Sequence, residues 1–61
     1  MKVLVVDDSA LARKTLRNAL KALGIEQIIE AKDGLEALQE ALTNPYDLIL
    51  MDWNMPRMDG I

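Results

Sequence analysis

The chain has 61 residues, with ten acids against seven bases for a net charge of −3, and it contains neither cysteine nor histidine. It therefore holds at most one small domain, and thiol redox chemistry, Cys/His zinc sites and histidine catalysis are excluded. Half of it is apolar (51%), yet no apolar run approaches the roughly 18 residues needed to span a bilayer.

The start is not a secretory signal, because Lys2 is followed by four apolar residues and then two aspartates. A soluble, cytoplasmic protein is expected. The run Val3-Leu4-Val5-Val6 is continuous and β-rich, as in a strand buried on both faces of a parallel sheet. Asp8 or Ser9 can cap the helix that follows. In that helix Ala12, Leu16, Ala19, Leu20 and Leu23 recur at helical spacing and predict one apolar stripe, with Gly24 placed just beyond the C-cap. Four of the seven bases, Arg13, Lys14, Arg17 and Lys21, lie in this stretch without interleaved aromatics, too few to mark a nucleic-acid surface.

Gln27 to Ala31 reads as a short second strand whose polar ends suit a position near a sheet edge. Asp33-Gly34 is a turn signal. Leu35, Leu38, Ala41 and Leu42 mark a second helix, which Asn44-Pro45 ends, since a residue before proline avoids helical geometry. Asp47-Leu48-Ile49-Leu50-Met51-Asp52 is a third strand with an apolar centre, and Trp53 to Ile61 is a loop holding Pro56 and Gly60. No repeat, linker or low-complexity tract interrupts the order βαβαβ. Strands alternating with helices imply a parallel sheet with right-handed crossovers, one half of a doubly wound α/β domain. Ligands in such folds sit at the carboxyl ends of the strands, where strand order reverses.

Asp7 and Asp8 directly follow the first strand, and Asp52 ends the third. If those strands are neighbours, three carboxylates converge at one end of the sheet. Their mutual repulsion is relieved by a hard divalent cation, and Mg²⁺ takes oxygen ligands, including one or two carboxylates. Phosphoryl chemistry follows, because it depends on charge neutralisation and in-line positioning more than on acid–base groups. A carboxylate can itself be the nucleophile and form an acyl phosphate; Asp52, at a strand end beside a loop, is the candidate. Each acid alone has a plainer reading: an Asp before a helix is often only an N-cap, and an Asp at a strand end is often a turn residue. The functional reading rests on both occurring together in this topology.

Val5-Val6-Asp7-Asp8-Ser9, Ala31-Lys32-Asp33-Gly34 with Glu36-Ala37-Leu38, and Asp47 to Asp52 followed by Asn54-Met55-Pro56 and Met58-Asp59-Gly60 resemble the receiver domain of two-component response regulators. The run Asp52-Trp53-Asn54-Met55-Pro56 is especially similar to the chemotaxis members of that family. The resemblance covers the chain from end to end. It implies that Asp52 is the phospho-acceptor, charged from the phosphohistidine of a histidine kinase or phosphotransfer domain. It implies that Asp8 ligates Mg²⁺ directly, that Asp7 acts mainly through water, and that Asn54 contributes its backbone carbonyl. Pro56 and Gly60 would shape the loop after the third strand. The basic face of the first helix would either help dock the phosphodonor or be a solvated helix face.

The family's flavodoxin-like sheet has five strands in the order 2-1-3-4-5. The Ser/Thr after its fourth strand and the Lys after its fifth have no counterpart in this sequence, so residues 1–61 read as a truncated or engineered receiver half. Strand three then presents an open apolar edge that recruits another strand, beside an apolar patch large enough to drive association. A homodimer or higher oligomer through strand three is expected, with the order 2-1-3-3′-1′-2′; exchange of an element between protomers is a second route. Two functions compete: a phospho-accepting signalling module reduced to its acceptor and metal half, and a self-associating half-domain without signalling activity. A phosphatase or mutase with an aspartyl nucleophile is disfavoured, because that class carries a second Asp two residues beyond the nucleophile and the position here is Asn54. No enzyme is expected. Weak, millimolar Mg²⁺ binding and little stable phosphorylation by acetyl phosphate are the expected behaviours.

Overall fold

The computed structural model describes residues 1–51. It contains β1 (Lys2–Val6), α1 (Ala10–Ala22), β2 (Gln27–Ala31), α2 (Gly34–Thr43) and β3 (Leu48–Met51). The strands form one parallel sheet in the order β2-β1-β3. Val3 aligns with Ile28 on one side and Leu48 on the other, and Val6 aligns with Ala31 and Met51. This is the βαβαβ unit of a flavodoxin-like sheet, with β2 at an edge as its polar ends implied.

β1 is central, and this is why its sequence is an unbroken apolar run rather than an alternating one. Side chains along a strand point to opposite faces in turn, and here both faces are covered. Leu4 and Val6 pack with Ala31 and Ala37 on the α2 side, with Tyr46 and Met51 against them. Val3 and Val5 pack with Leu20 and Ile28 on the α1 side, with Ile25 and Leu50 against them. All four β1 side chains are essentially inaccessible to water, and each contributes roughly 1.5–3 kcal/mol by burial.

The helix ends follow from local chemistry. Ser9 is the N-cap of α1, and its Oγ accepts from the Ala12 N–H at 3.2 Å. At the other end Gly24 adopts φ 91°, a left-handed conformation that a side chain makes costly. The Gly24 N–H donates to the Lys21 carbonyl and the Ile25 N–H to the Leu20 carbonyl, closing a Schellman turn. Asp33 caps α2 by accepting from the Glu36 N–H at 2.8 Å, and Glu36 reaches back to accept from the Lys32 N–H at 3.0 Å. Asn44 ends α2 in extended geometry ahead of Pro45.

The apolar stripe expected on α1 is only partly buried, and so are the leucines that mark α2. Of the five α1 residues, only Leu20 is buried, while Leu23 is 77% exposed. On α2 the buried residue is Ala37, and Leu35, Leu38 and Leu42 are all more than half exposed. The described sheet is three strands wide, so each helix meets it along a narrow line, and a small residue permits the close approach of α2 to β1. Leu38 and Ala41 instead line an apolar groove with Ala37, Ile49 and Met51. Along β3, Leu48 and Ile49 are exposed, and among the described residues this strand pairs only with β1.

The amino-terminal end of the sheet is closed by a polar clasp. Asp47, expected as the first residue of the third strand, lies just before β3. Its N–H donates to the Lys2 carbonyl at 2.8 Å, and its carboxylate accepts from the Lys2 N–H at 2.7 Å. The Lys2 ammonium donates to Asn44 Oδ1 at 3.4 Å and lies 5.1 Å from the centre of the Tyr46 ring. The Tyr46 hydroxyl donates to Glu40 Oε1 at 2.6 Å. The same carboxylate oxygen accepts from the Asn44 side-chain amide at 3.4 Å.

Candidate functional site at the carboxyl end of the sheet

β1 and β3 are hydrogen-bonded neighbours, the condition on which convergence of the acids depended. Asp7 follows β1 immediately and is buried, at 7% exposure, while Asp8 beside it is exposed. Met51, the last residue of β3, is level with Val6. Asp52 and Asn54, the other expected ligands, lie outside the described residues, as do Pro56 and Gly60.

Asp7 is held by three hydrogen bonds. Its N–H donates to the Ala31 carbonyl at 3.1 Å, its carbonyl accepts from Arg13 Nη1 at 2.6 Å, and its Oδ1 accepts from the Ser9 N–H at 2.9 Å. The last of these is an Asx turn that leads the chain into α1. The main chain of Asp7 is thus tied to β2 and to α1, and its carboxylate has one hydrogen-bond donor among the described residues. Among the described residues no lysine or arginine forms an ion pair with Asp7 or Asp8.

The bases of α1 divide into two groups. Arg13 and Arg17 are committed within the chain, because Arg13 Nε donates to Glu30 Oε1 at 3.0 Å and Arg17 Nη1 donates to Glu30 Oε2 at 3.1 Å. Lys14 and Lys21 are exposed. The stretch that reads as one basic face is therefore partly an internal network anchored on β2. Glu30 is not evident as a partner of these arginines from the sequence, where it is one of the two polar residues of β2.

The donor set can be tested for a hard cation. A buried carboxylate without a cationic partner is costly. Asp7 and Asp8 present only oxygen donors, the kind Mg²⁺ selects, and this chemistry fits. Among the described residues no group of three or more acidic, His or Cys side chains that could hold a metal is assembled; Asp7 and Asp8 are two of the four expected ligands, and the other two fall beyond Met51.

The family model described as the response regulator receiver domain matches residues 3–61. The chain belongs to that family. It is 51% identical over 61 residues to a protein-glutamate methylesterase/protein-glutamine glutaminase of Archaeoglobus fulgidus, a match covering 100% of this chain and 18% of that protein. It is 45% identical over 62 residues to the chemotaxis protein CheY1 of Helicobacter pylori, covering 100% of this chain and 50% of that protein. The chain thus spans half or less of the length of these relatives. No helix among the described residues is long and apolar enough to cross a membrane.

Proposed function

We propose that residues 1–61 form the acceptor and metal-binding half of a phospho-accepting receiver module in two-component, chemotaxis-type signalling, and that they act in the cytoplasm as a phosphorylated partner rather than an enzyme. Asp52 is the phospho-acceptor in this reading. Asp8 is a direct Mg²⁺ ligand, Asp7 acts through water, and Asn54 supplies its backbone carbonyl. The observation that carries the reading is Asp7: a buried carboxylate at the carboxyl end of the central strand, with one hydrogen bond and no ion pair among the described residues. Val6 pairs with Met51, the residue that precedes Asp52 in the sequence.

When bound, Mg²⁺ supplies charge neutralisation to the transferring phosphoryl group. The residues of this chain do the rest. Asp7 and Asp8 hold the cation against their own repulsion, and the Asp52 carboxylate attacks the phosphorus of a phosphohistidine, whose imidazole departs. Lys14 and Lys21, the exposed bases of α1, are the part of that helix available to meet an acidic phosphodonor.

The outer edge of β3, unpaired among the described residues, and the neighbouring apolar groove favour association of two copies through β3. Sedimentation at low micromolar concentration reads that association, and a folded, monodisperse monomer excludes it.

Trp53 adjoins the acceptor and is the only tryptophan, so its fluorescence tests the metal reading directly. Titration with Mg²⁺ is expected to change the emission in the millimolar range in the wild-type chain and not in Asp8→Asn. Unchanged emission in folded wild type overturns the reading.

A further inference from the structure

We infer that Arg13 is the positioning residue of the acidic pair: its guanidinium fixes the peptide that joins Asp7 to Asp8 and thereby sets where both carboxylates point. The inference rests on the metal-site reading above and adds to it a residue outside the acid cluster.

The geometry is specific. Arg13 is one turn into α1, with its own N–H donating to the Ser9 carbonyl at 3.0 Å. From there the side chain turns back. Nη1 donates to the Asp7 carbonyl at 2.6 Å and Nε donates to Glu30 Oε1 at 3.0 Å. One planar group therefore joins three elements: the β1–α1 connection, α1 and β2. The side chain is only 17% exposed, so this is a packed arrangement rather than a surface pair. A rigid fork of donors suits this task, and a lysine with a single point of contact does not.

The choice of acceptor matters. Among the described residues Arg13 bonds the main-chain carbonyl of Asp7 and not a carboxylate, and its Nε is paired with Glu30. The Asp7 carbonyl belongs to the peptide unit whose nitrogen is that of Asp8, so holding this oxygen holds the plane from which Asp8 projects. The other end of Asp7 is held by its N–H on the Ala31 carbonyl. Arg17 shares Glu30 but makes no bond to the acidic loop, which makes it the natural charge control.

Charge alone and positioning predict opposite signs. Removing a cation beside two carboxylates strengthens Mg²⁺ binding if Arg13 acts only through its charge. If Arg13 positions the loop, its removal weakens binding by about tenfold, the lower end of what partners of metal ligands contribute. We expect Arg13→Met to weaken Mg²⁺ binding about tenfold, Arg17→Met to leave it unchanged or slightly stronger, and Arg13→Lys to fall between Arg13→Met and wild type. Tighter binding in Arg13→Met overturns the inference.

A second measurement needs no metal. In the metal-free full chain, amide hydrogen exchange at Asp7 and Ser9 is expected to quicken about tenfold in Arg13→Met, while Leu4 and Val5 in β1 keep their wild-type rates. Loop amides that exchange as in wild type overturn the inference, as does a uniform acceleration across loop and β1 in both Arg13→Met and Arg13→Lys. A wild-type chain that binds no Mg²⁺ defeats the metal reading, while the exchange experiment still decides whether Arg13 orders the loop.

Discussion

The two ends of the sheet treat charge in opposite ways. At the amino end two acids are bonded within the chain: the Asp47 carboxylate accepts from the Lys2 N–H, while the Asp47 N–H donates to the Lys2 carbonyl, and Glu40 accepts from the Tyr46 hydroxyl and the Asn44 amide. At the carboxyl end Asp7 and Asp8 lie next to a well-placed arginine that bonds a carbonyl instead of their carboxylates. The first arrangement locks β3 and α2 onto β1. The second fixes the backbone and leaves the acids available. In the proposed reading, stability and function are thus separated along the strand direction, as expected where ligands gather at the carboxyl ends of a parallel sheet.

The largest expected effect breaks the functional end alone. Asp8→Asn is expected to weaken Mg²⁺ binding by at least about tenfold, since about 1.4 kcal/mol of lost attraction already amounts to that factor. Asp8 is exposed and makes no ion pair among the described residues, so stability is expected to stay within about 0.5 kcal/mol of wild type. Calorimetric titration and thermal melts on the same samples check both halves. A large loss of stability in Asp8→Asn contradicts the separation.

The converse substitution sits at the other end. Asp47→Ala removes a carboxylate that accepts from the Lys2 N–H. A loss of about 1 kcal/mol is expected for a charge-assisted bond at an exposed site. In a domain of this size that lowers the melting temperature by roughly 4–8 °C. Mg²⁺ affinity is expected to stay at the wild-type value, and a parallel loss of metal binding shows instead that the two ends are coupled.

How far these ends could be read from the sequence differs in the same way. β1 was legible because a strand covered on both faces needs an unbroken apolar run, and Val3 to Val6 supplies one. The acids were legible because they follow that run directly. Ser9, one of two cap candidates beside Asp8, and Gly24 announced the ends of α1, since capping depends on a few adjacent residues, whereas Asp33 read as part of a turn and is the N-cap of α2. Asp47 was not legible as a clasp, because its partner Lys2 is 45 positions away and meets it only once the β1–β3 register exists. Arg13 and Glu30 escaped for the same reason, at a separation of 17. On α2 leucine spacing marked the helix but did not show that the buried position is Ala37, where closeness of approach outweighs side-chain size. Asp52 and Asn54 carry the chemistry in the family resemblance, and the described residues bring the sheet register to within one position of Asp52.

The smallest expected effect measures how closed the amino end is. Tyr46 is half-buried, and loss of water around it, its hydrogen bond to Glu40 and the negative charge of that carboxylate raise the phenol from 10.0 to about 12. A folded-state value above the unfolded one means that the fold favours the neutral phenol. This contribution is complete below pH 10 and is lost as the pH rises through about 12. Tyr46 is the only tyrosine, so phenolate absorbance reports it alone. The midpoint is expected at about 12 in the folded chain and at 10.0 in urea. Glu40→Gln keeps an acceptor oxygen while removing the charge, and its midpoint is expected between those two values. A folded chain whose tyrosine titrates as it does in urea shows that the clasp is open to water, and the contrast between the two ends then fails at its stable side.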